Sequence, residues 1–350
     1  MADAILVTGG LGFIGGHVVE RLARDAPDAR IVVLDKQTYA ALPETVAAVE
    51  RALAAHGNGE IYRGDICDEA TCNFVLGRER VRVVLHLAAE SHVDRSLGSS
   101  VAFTRTNVVG THVLLEACRT RLPAGQLQAF IHVSTDEVHG SVEDPAVPHE
   151  GLPLAPTNPY AASKAAAEMQ VLSYAKSFGM PCLITRGNNV YGPRQHPEKL
   201  VAACMTRLRG GDPLCIHGAG TQLRSWVYVE DVARMFSVIV RRAGDLLRTV
   251  AEGAVPVLFV GSSDERSVAD VVHDCARLEG LDDAVAICYD EDPRPFNDVR
   301  YVSGLDPRVR RLLDAEAPDG GPFAPVTWSE GLARTAEAFG VVVKDESHSS

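Results

Sequence analysis

Two polar segments of the sequence carry residue types that can move protons. The first is Tyr160-Ala161-Ala162-Ser163-Lys164, in which a phenol and an amine stand four residues apart. Residues at this spacing share one face of a helix, and an ammonium beside a phenol favours the phenolate and lowers the phenol pKa. We therefore predict that Tyr160 can act as a base toward a substrate hydroxyl. Because this pattern is common by chance, its weight depends on the segments around it.

The second polar segment is Ser134-Thr135-Asp136-Glu137, which ends a predicted buried strand. Two adjacent carboxylates at a strand end could simply be solvated surface groups. They could also supply one general acid and one general base, provided that their surroundings push their pKa values apart.

A glycine-rich turn follows the first predicted strand. Gly9, Gly12 and Gly15 have the spacing GxxGxxG between a strand at 4–8 and a helical pattern at 17–24. The first glycine permits a tight turn, the second lets the backbone approach a pyrophosphate, and the third lets helix and strand pack closely. The helix N-terminus then offers free N–H groups and a favourable dipole to an anion. The pattern predicts a dinucleotide site.

Acidic residues after the second and third strands refine this prediction. Asp35 ends the second strand, where a carboxylate hydrogen-bonds the adenosine ribose and repels a 2′-phosphate. We therefore predict NAD rather than NADP, although the adjacent Lys36 could partly accommodate a 2′-phosphate. Asp65 and Ile66 follow the third strand and are expected to contact the adenine, the alternative being a plain polar loop.

Strand-like and helix-like segments alternate through the first half of the chain. Apolar strands are predicted at 4–8, 30–34, 60–63, 81–87, 129–134 and 181–186, and helices at 17–24, 43–56, 107–118 and 160–178. Such alternation predicts an α/β fold with a parallel sheet covered on both faces. We assign 1–186 to the dinucleotide-binding domain, to which 226–245 returns. We assign 187–225 and 246–330 to a smaller substrate-binding region, and 344–350 to a disordered tail.

Composition argues against several classes of protein. The 350 residues include 34 Lys and Arg against 46 Asp and Glu, and this net charge of −12 argues against binding to nucleic acid or to anionic membranes. No apolar run has transmembrane length and no signal-like stretch opens the chain, which predicts a cytoplasmic protein. Eight scattered cysteines without a CxxC pair predict reduced thiols and no metal site.

Together these segments resemble the extended short-chain dehydrogenase/reductases, and within them the nucleotide-sugar 4,6-dehydratases of the dTDP-glucose type. The most specific matches are STDE (134–137), AAESHVDRS (88–96) and PEKL (197–200). Other matches cover most of the chain, at TGGLGFIG (8–15), LDKQTYA (34–40), GDICD (64–68), TNVVGTHVLLEA (106–117), PTNPYAASKAAAE (156–168), NNVYGPRQHPEKL (188–200), RSWVYVEDVA (224–233) and RPFNDVRY (294–301).

The resemblance implies a Rossmann-type doubly wound parallel sheet with a smaller C-terminal substrate-binding region, and NAD as the cofactor. It also implies a homodimer through a four-helix interface, formed by the helices at 100–118 and 160–178. The apolar stripes of these helices could equally pack within one subunit.

In this family the matching residues oxidise, dehydrate and reduce a nucleotide-diphosphate hexose. The resemblance implies that Tyr160 is the base while NAD oxidises the C4 hydroxyl, helped by Thr135 and Lys164. Glu137 would then remove the C5 proton, and Asp136 would protonate the departing C6 hydroxyl. Return of the hydride to C6 gives a 4-keto-6-deoxy sugar.

The resemblance also extends the binding sites. To the cofactor site it adds Phe13, Ile14, Leu87, Ala88, Ala89 and Asn107. To the substrate site it assigns Ser91, Asn189, Glu198, Lys199, Leu200, Arg224, Arg294, Asn297 and Tyr301. Both arginines are expected to bind the diphosphate, because a guanidinium offers forked donors.

Four positions depart from the family pattern: His139 replaces a tyrosine, Val190 an asparagine, Phe296 a glycine and Asn297 a histidine. His139 follows the carboxylate pair closely and could alter sugar recognition or proton transfer, or be a tolerated exchange. Besides dTDP-glucose, we therefore keep open a UDP-linked or amino sugar and a different elimination product. The remaining alternatives are a UDP-sugar 4-epimerase or decarboxylase, and a dinucleotide-sensing regulator without catalysis.

Overall fold

A parallel sheet of seven strands forms the centre of the protein. The computed structural model describes residues 2–142, 151–278, 287–292, 296, 298–301, 304–317 and 321–343. The strands of this sheet are β1 Ala4–Thr8, β2 Arg30–Asp35, β3 Gly59–Arg63, β4 Val81–His86, β5 Ala129–Thr135, β6 Cys182–Gly187 and, much later in the chain, β10 Val257–Val260. Their spatial order is β10-β6-β5-β4-β1-β2-β3, and every neighbouring pair is parallel.

The strand order reverses beside β1, because the chain builds outward to β3 and then crosses back to β4. In open α/β sheets this switch point leaves a crevice at the carboxyl ends of the strands, where ligands bind. Residues on both faces of the strands are buried, as Leu6 and Val7 of β1 show. The near-continuous apolar character of the predicted strands is thus explained by burial on two sides.

Helices cover both faces of the sheet. One face carries α1 Phe13–Asp25, α2 Pro43–His56, α9 Val229–Arg241, α10 Ala243–Leu247 and α12 Pro307–Ala315. The other carries α3 Glu69–Arg78, α6 Thr111–Arg121 and α7 Pro159–Phe178. The predicted α/β class with a Rossmann-type doubly wound sheet is confirmed. Within the described residues, we find no helix that combines the length and apolarity a membrane crossing requires.

Short helical segments lead into the covering helices near the carboxyl ends of the strands. After β4 come α4 Val93–Gly98, α5 Ser100–Phe103 and a π-helix over Thr104–Gly110, which runs directly into α6. The predicted helix at 107–118 therefore begins as a π-helix. A 3-10 helix over Asp136–His139 follows β5 and contains both predicted carboxylates.

A smaller region lies beyond the sheet and has its own core. It contains a three-stranded sheet of β7 Asn189–Tyr191, β9 Leu223–Tyr228 and β11 Glu265–Ser267, and a parallel pair of β8 Leu214–His217 and β12 Ile287–Asp290. The helices α8 Leu200–Gly210, α11 Val268–Leu278 and α13 Trp328–Phe339 pack against these strands. Tyr191, Trp226 and Trp328 form the aromatic centre, with the Tyr191 and Trp328 rings 4.7 Å apart.

Two segments depart from the predicted domain boundaries. The whole of 246–330 was assigned to the substrate-binding region, but β10 adds an edge strand to the large sheet and α12 packs in its core. The turn residues around Val257–Val260 conceal this short apolar strand in the sequence. The predicted tail at 344–350 lies outside the described residues.

A buried ion pair joins the end of β6 to α7. Glu168 is fully buried, and both of its carboxylate oxygens accept hydrogen bonds from Arg186, at 3.1 Å from Nε and 2.6 Å from Nη2. A buried carboxylate of this kind is tolerated only because it is paired and hydrogen-bonded.

We predict that Arg186→Met destabilises the protein by about 3–5 kcal/mol, because Glu168 is then left buried without its partner. Urea unfolding followed by circular dichroism measures this change. Arg119→Met, which breaks the exposed pair with Glu116, is the control and should change the free energy of unfolding little. A loss below about 1 kcal/mol for Arg186→Met would contradict the pairing argument.

Candidate active site

The glycine turn between β1 and α1 is shaped so that only glycine fits at two of its positions. Gly9 has φ of 72°, and a Cβ there would lie 2.7 Å from the backbone N of Ala88. A Cβ on Gly15 would lie 2.1 Å from the carbonyl oxygen of Gly9. The turn therefore brings bare backbone to the crevice at the end of β1, with the N-terminus of α1 beginning at Phe13.

Asp35 at the end of β2 fixes this turn as well as facing the crevice. Its carboxylate accepts hydrogen bonds from the backbone N–H of Leu11 at 2.9 Å and of Gln37 at 2.6 Å. Burial raises the pKa of Asp35, and these two hydrogen bonds oppose the rise. Each oxygen keeps a further lone pair, so a ribose hydroxyl can still bind where the sequence predicts it.

Lys36, which could bind a 2′-phosphate, is paired with an acidic residue instead. Its ammonium forms an ion pair with Asp65 at 2.7 Å, and Asp65 also accepts a hydrogen bond from the backbone of Cys67. Ile66 is buried beside this pair. The two residues predicted at the adenine end thus form one structured loop with Lys36 rather than a plain polar loop.

A single cavity of about 520 Å³ runs from the glycine turn across the carboxyl ends of the strands to the smaller region. It brings together most of the predicted site residues: Gly9, Gly12, Phe13, Ile14, Gly15, Asp35, Lys36, Asp65, Ile66, Leu87, Ala88, Ala89, Ser91, Thr135, Glu137, Tyr160, Lys164, Asn189, Glu198, Lys199, Leu200, Arg224 and Tyr301.

Asn107 and Asp136 lie behind the wall of the cavity. Asn107 is buried, and its side chain exchanges hydrogen bonds with the backbone of Glu90 and donates to Ser163 at 2.8 Å. It therefore holds the loop after β4 against α7 and does not face the predicted cofactor. Arg294 and Asn297 fall outside the described residues.

Tyr160 and Lys164 lie one turn apart on α7, as predicted, but the pKa of the tyrosine shifts in the opposite direction. Burial and the nearby Glu137 carboxylate raise the pKa of Tyr160, and a hydrogen bond with Thr135 only partly opposes the rise. The prediction that Lys164 gives this tyrosine a net lowered pKa is therefore wrong for the site as it stands here. Burial outweighs the helical spacing, because desolvation penalises the phenolate strongly.

The amine of Lys164 is enclosed as well. It donates a hydrogen bond to the carbonyl oxygen of Val133 at 2.5 Å, and burial lowers its pKa to about 8. Lys164 is thus anchored to β5 by its own ammonium group, which fixes the face of α7 that carries Tyr160.

Asp136 is a buried carboxyl with two hydrogen-bond donors. The Thr135 hydroxyl donates to one oxygen at 3.0 Å, and the Asn188 amide donates to the other at 2.7 Å. Burial, together with the charge of Glu137, raises the pKa of Asp136 to about 7. Near neutral pH this group can therefore hold and donate a proton.

Glu137 faces the cavity beside Asp136 and has a different set of partners. Its carboxylate accepts hydrogen bonds from the Asn158 amide at 3.1 Å and from the Tyr301 hydroxyl at 3.4 Å. Burial raises the pKa of Glu137, while Asn158 and the charges of Arg224 and Lys199 lower it. The two adjacent carboxyls thus have the separate environments that acid and base roles require.

Three polar residues of this site were not predicted: Asn158, Asn188 and Asp298. Asn158 caps α7 by accepting a hydrogen bond from the N–H of Ala161, and its amide N–H reaches Glu137. The sequence could have predicted this role, because asparagine is favoured at the N-cap of a helix and proline at the first helical position. Asn188 and Asp298 gave no such local signal, because their contacts with Asp136 and Thr157 join distant parts of the chain.

The substrate end of the cavity contains two of the predicted cations, Lys199 and Arg224. The Arg224 guanidinium lies 4.2 Å from the centre of the Tyr301 ring, and Lys199 donates to the backbone oxygen of Ser91 at 2.9 Å. Glu198 is paired with Arg95 at 3.2 Å, so its charge is balanced locally.

The departures His139 and Phe296 lie in different places. His139 is buried outside the cavity wall, with Arg186 donating to its Nε2 at 2.8 Å and its Nδ1 placed 3.0 Å from the Pro153 carbonyl. It therefore supports the end of β6 and has no direct access to a substrate. Phe296 lines the cavity and remains 62% exposed, so it can contact a ligand.

We predict that Asp136→Asn gains stability relative to the wild type as pH rises from about 5 to about 8. An acid whose pKa rises from 3.8 to about 7 on folding loses stability as pH climbs between those values, and asparagine does not ionise. The gain amounts to a few kcal/mol at most, on the order of 1.4 per pKa unit. Urea unfolding at several pH values measures it.

Asp270→Asn is the control for this experiment. Hydrogen bonds from Ser267 lower the pKa of Asp270, so its replacement should cost stability at the higher pH. A loss of stability for Asp136→Asn with rising pH would contradict the raised pKa.

The chain is similar to several known proteins. Residues 5–249 match the family described as the NAD dependent epimerase/dehydratase family. A dTDP-glucose 4,6-dehydratase of Neisseria meningitidis is 38% identical, over 96% of this chain and 92% of that protein. A crystal structure of a dTDP-glucose 4,6-dehydratase from Streptomyces venezuelae, with NAD bound, superposes with a TM-score of 0.81 at 33% identity and 96% coverage of both chains.

A longer protein of Arabidopsis thaliana is also similar. It is a trifunctional UDP-glucose 4,6-dehydratase, UDP-4-keto-6-deoxy-D-glucose 3,5-epimerase and UDP-4-keto-L-rhamnose-reductase, and it is 42% identical over 96% of this chain. The present chain covers 47% of it, about half its length. The family match covers more than half of the chain and includes most of the residues that line the cavity. The chain therefore belongs to the NAD dependent epimerase/dehydratase family.

Proposed function

We propose that this protein is an NAD-dependent nucleotide-sugar 4,6-dehydratase that converts dTDP-glucose, or a closely similar nucleotide hexose, to the 4-keto-6-deoxy sugar. The observation that carries the proposal is the pair of adjacent carboxyls beside Tyr160, in which Asp136 is buried and Glu137 is half-buried and lines the cavity. Oxidation at C4 alone needs only one proton acceptor, whereas eliminating water from C5 and C6 also needs a base and an acid on neighbouring atoms.

The residues present fit NAD. The turn at Gly9 and Gly15 leaves a cradle that a Cβ would fill, and Asp35 stands at the end of β2 beside it. The backbone at the start of α1 would hold the pyrophosphate, and Asp35 the ribose hydroxyls. When bound, NAD supplies the hydride acceptor and donor for the sugar carbons.

Tyr160 and Thr135 handle the proton of the C4 hydroxyl in this proposal. Their mutual hydrogen bond places both groups at the end of β5, where the sheet meets α7. Burial keeps the Tyr160 phenol protonated in the free site, so the phenol first releases its proton to solvent, and the resulting phenolate then accepts the proton of the C4 hydroxyl. Lys164 supplies a cation on the same face of the helix, held in place by Val133.

Glu137 removes the C5 proton, and Asp136 protonates the departing C6 hydroxyl. Glu137 faces the cavity and has cationic neighbours that favour its ionised form. Asp136, with a pKa raised to about 7, retains a proton at neutral pH and lies one hydrogen bond from the cavity through Thr135. The division of roles follows from these two environments.

A UDP-linked substrate is the second candidate. The identity of 42% with the Arabidopsis thaliana protein, against 38% with the dTDP-glucose dehydratase of Neisseria meningitidis, favours it. We propose only the dehydration for this chain, because it spans about half of the Arabidopsis protein.

Purified protein with NAD should release water from dTDP-glucose or UDP-glucose, and mass spectrometry of a panel of nucleotide sugars measures the loss. The ratio of kcat/KM for the two substrates shows whether the enzyme prefers the thymidine or the uridine nucleotide. In deuterium oxide, a 4,6-dehydratase places solvent deuterium at C5, whereas a 4-epimerase does not. Tyr160→Phe is the inactive control. An epimerised product without deuterium at C5 would overturn the proposal.

Glu137→Gln should slow dehydration by about 10²–10⁴-fold, because the base for the C5 proton is lost. Oxidation at C4 should persist, so the reduced cofactor should accumulate, and the rise in its absorbance measures this. Glu60→Gln, at an exposed glutamate of β3, should retain the wild-type rate. Equal loss of oxidation and dehydration in Glu137→Gln would show that Glu137 does not act specifically at C5.

We further propose a homodimer in the cytoplasm. Apolar side chains stand exposed on α5 and α7, with Val101 78% exposed, Met169 47% and Phe178 54%. An apolar surface of this kind supports a helical interface with a second copy of the chain. The eight free cysteines support a reducing compartment.

Val101→Asp should convert the dimer to monomers, because it places a charge in the centre of the proposed interface. Size-exclusion chromatography with light scattering measures the mass. Val342→Asp is the matched control, since Val342 is 73% exposed and follows Val341, which packs in the core of the smaller region. An unchanged mass for Val101→Asp, or a monomeric wild type, would contradict the proposed interface.

A further inference from the structure

The parallel pair β8 and β12 places four residues of metal-binding types next to one another. In its register Cys215 is paired with Cys288, and His217 is paired with Asp290. These residues come from distant parts of the sequence and are brought together by strand pairing. The spacing of the cysteines in the sequence therefore gives no sign of this cluster.

All four residues belong to the same face of this small sheet. Leu214 and Ile216 are fully buried in the core of the smaller region, so Cys215 and His217 point to the opposite face. The two thiols are half-buried there, and His217 and Asp290 are exposed.

The thiols and the carboxylate already converge. One ligand atom from each of Cys215, Cys288 and Asp290 lies within 4.8 Å of the others, and in the part of the chain that the structure describes this is the one group of its kind. The Cys215 thiol is in hydrogen-bond contact with the Cys288 thiol and with Asp290.

This geometry suits a shared cation better than a disulfide. A disulfide needs its two sulfurs about 2.03–2.05 Å apart, whereas Cys215 and Cys288 are free thiols in hydrogen-bond contact. Two sulfurs bound at about 2.3 Å to one tetrahedral cation lie about 3.8 Å apart, which is compatible with ligand atoms that already lie within 4.8 Å of one another.

We propose that Cys215, Cys288 and Asp290 bind a thiophilic divalent cation of the Zn²⁺ class, with His217 turning in as the fourth ligand. Two sulfurs, one imidazole nitrogen and one carboxylate oxygen form a tetrahedral set that suits such an ion. The site is separate from the catalytic cavity, whose lining includes none of the four residues.

The bound cation would cross-link an element that is weak on its own. A two-stranded sheet is marginally stable in water, and among the strands of the described residues β12 pairs with β8 alone. Further along the chain, the same segment carries Phe296, Asp298 and Tyr301 to the substrate end of the cavity. The cation therefore fastens the strand that precedes these residues, and its role is structural.

The full-length protein, freed of metal by chelation, is titrated with Co²⁺ alone and then with Zn²⁺. We expect one equivalent of Co²⁺ with a thiolate-to-cobalt charge-transfer band and the visible bands of tetrahedral coordination, followed by displacement by Zn²⁺. Cys215→Ser and Cys288→Ser should each weaken binding by at least about tenfold. Cys67→Ser, which removes the other half-buried thiol, should bind like the wild type.

Circular dichroism of each apo variant separates loss of a ligand from loss of the fold. His217→Ala should bind more weakly and lose the tetrahedral signature, and an unchanged spectrum would overturn the assignment of the fourth ligand. The proposal fails if the wild type gives no charge-transfer band, if Cys67→Ser weakens binding as much as Cys215→Ser, or if the untreated protein contains a Cys215–Cys288 disulfide. None of these results depends on the substrate or on the proposed dehydration.

Discussion

The site depends on the removal of two adjacent carboxyl groups from water. Burial raises the pKa of Asp136 and of Glu137, and neighbouring amides limit the cost by donating to each of them. Asn188 holds Asp136 from the end of β6, and Asn158 holds Glu137 from the start of α7. The carboxyl end of β5 must therefore keep its position relative to β6 and α7, because otherwise the two carboxyl groups lose these hydrogen bonds. This requirement gives the buried Arg186–Glu168 pair, which ties β6 to α7, a direct connection with the chemistry.

The sequence predicted the parts of this arrangement that local pattern determines. The turn at Gly9–Gly15 and the alternation of strands and helices follow from spacing, because each needs only a few neighbouring residues to be specified. Parallel strands end at one edge, so Glu137 and Tyr160 could be expected to meet there. The edge strand β10 was not predicted, since a short apolar run between turn residues has too little periodicity to identify it.

Effects that arise from burial or from distant contacts were beyond the sequence. Helical spacing alone gave Tyr160 a lowered pKa, whereas its enclosed position raises it. The departure at His139 pointed to the substrate because His139 follows Glu137 closely in the sequence. In the fold its ring turns toward Arg186 and the Pro153 carbonyl, so the exchange is accommodated within a buried network at β6. Asn107 is similar, because its amide supports the loop at Glu90 from behind the cavity.

The net charge of −12 gains a specific meaning from the substrate end of the site. A negative overall field cannot attract the anionic sugar nucleotide that we propose as substrate, so the proposed binding rests on local cations such as Arg224 and Lys199. The charge of Arg224 also lowers the pKa of both Asp136 and Glu137, and Lys199 acts on Glu137 in the same direction. A diphosphate held by these groups would offset part of their charge and so raise the pKa of the neighbouring carboxyls. Substrate binding would thereby favour the protonated form of Asp136, so that the group that we propose as the acid carries its proton when a sugar is in place.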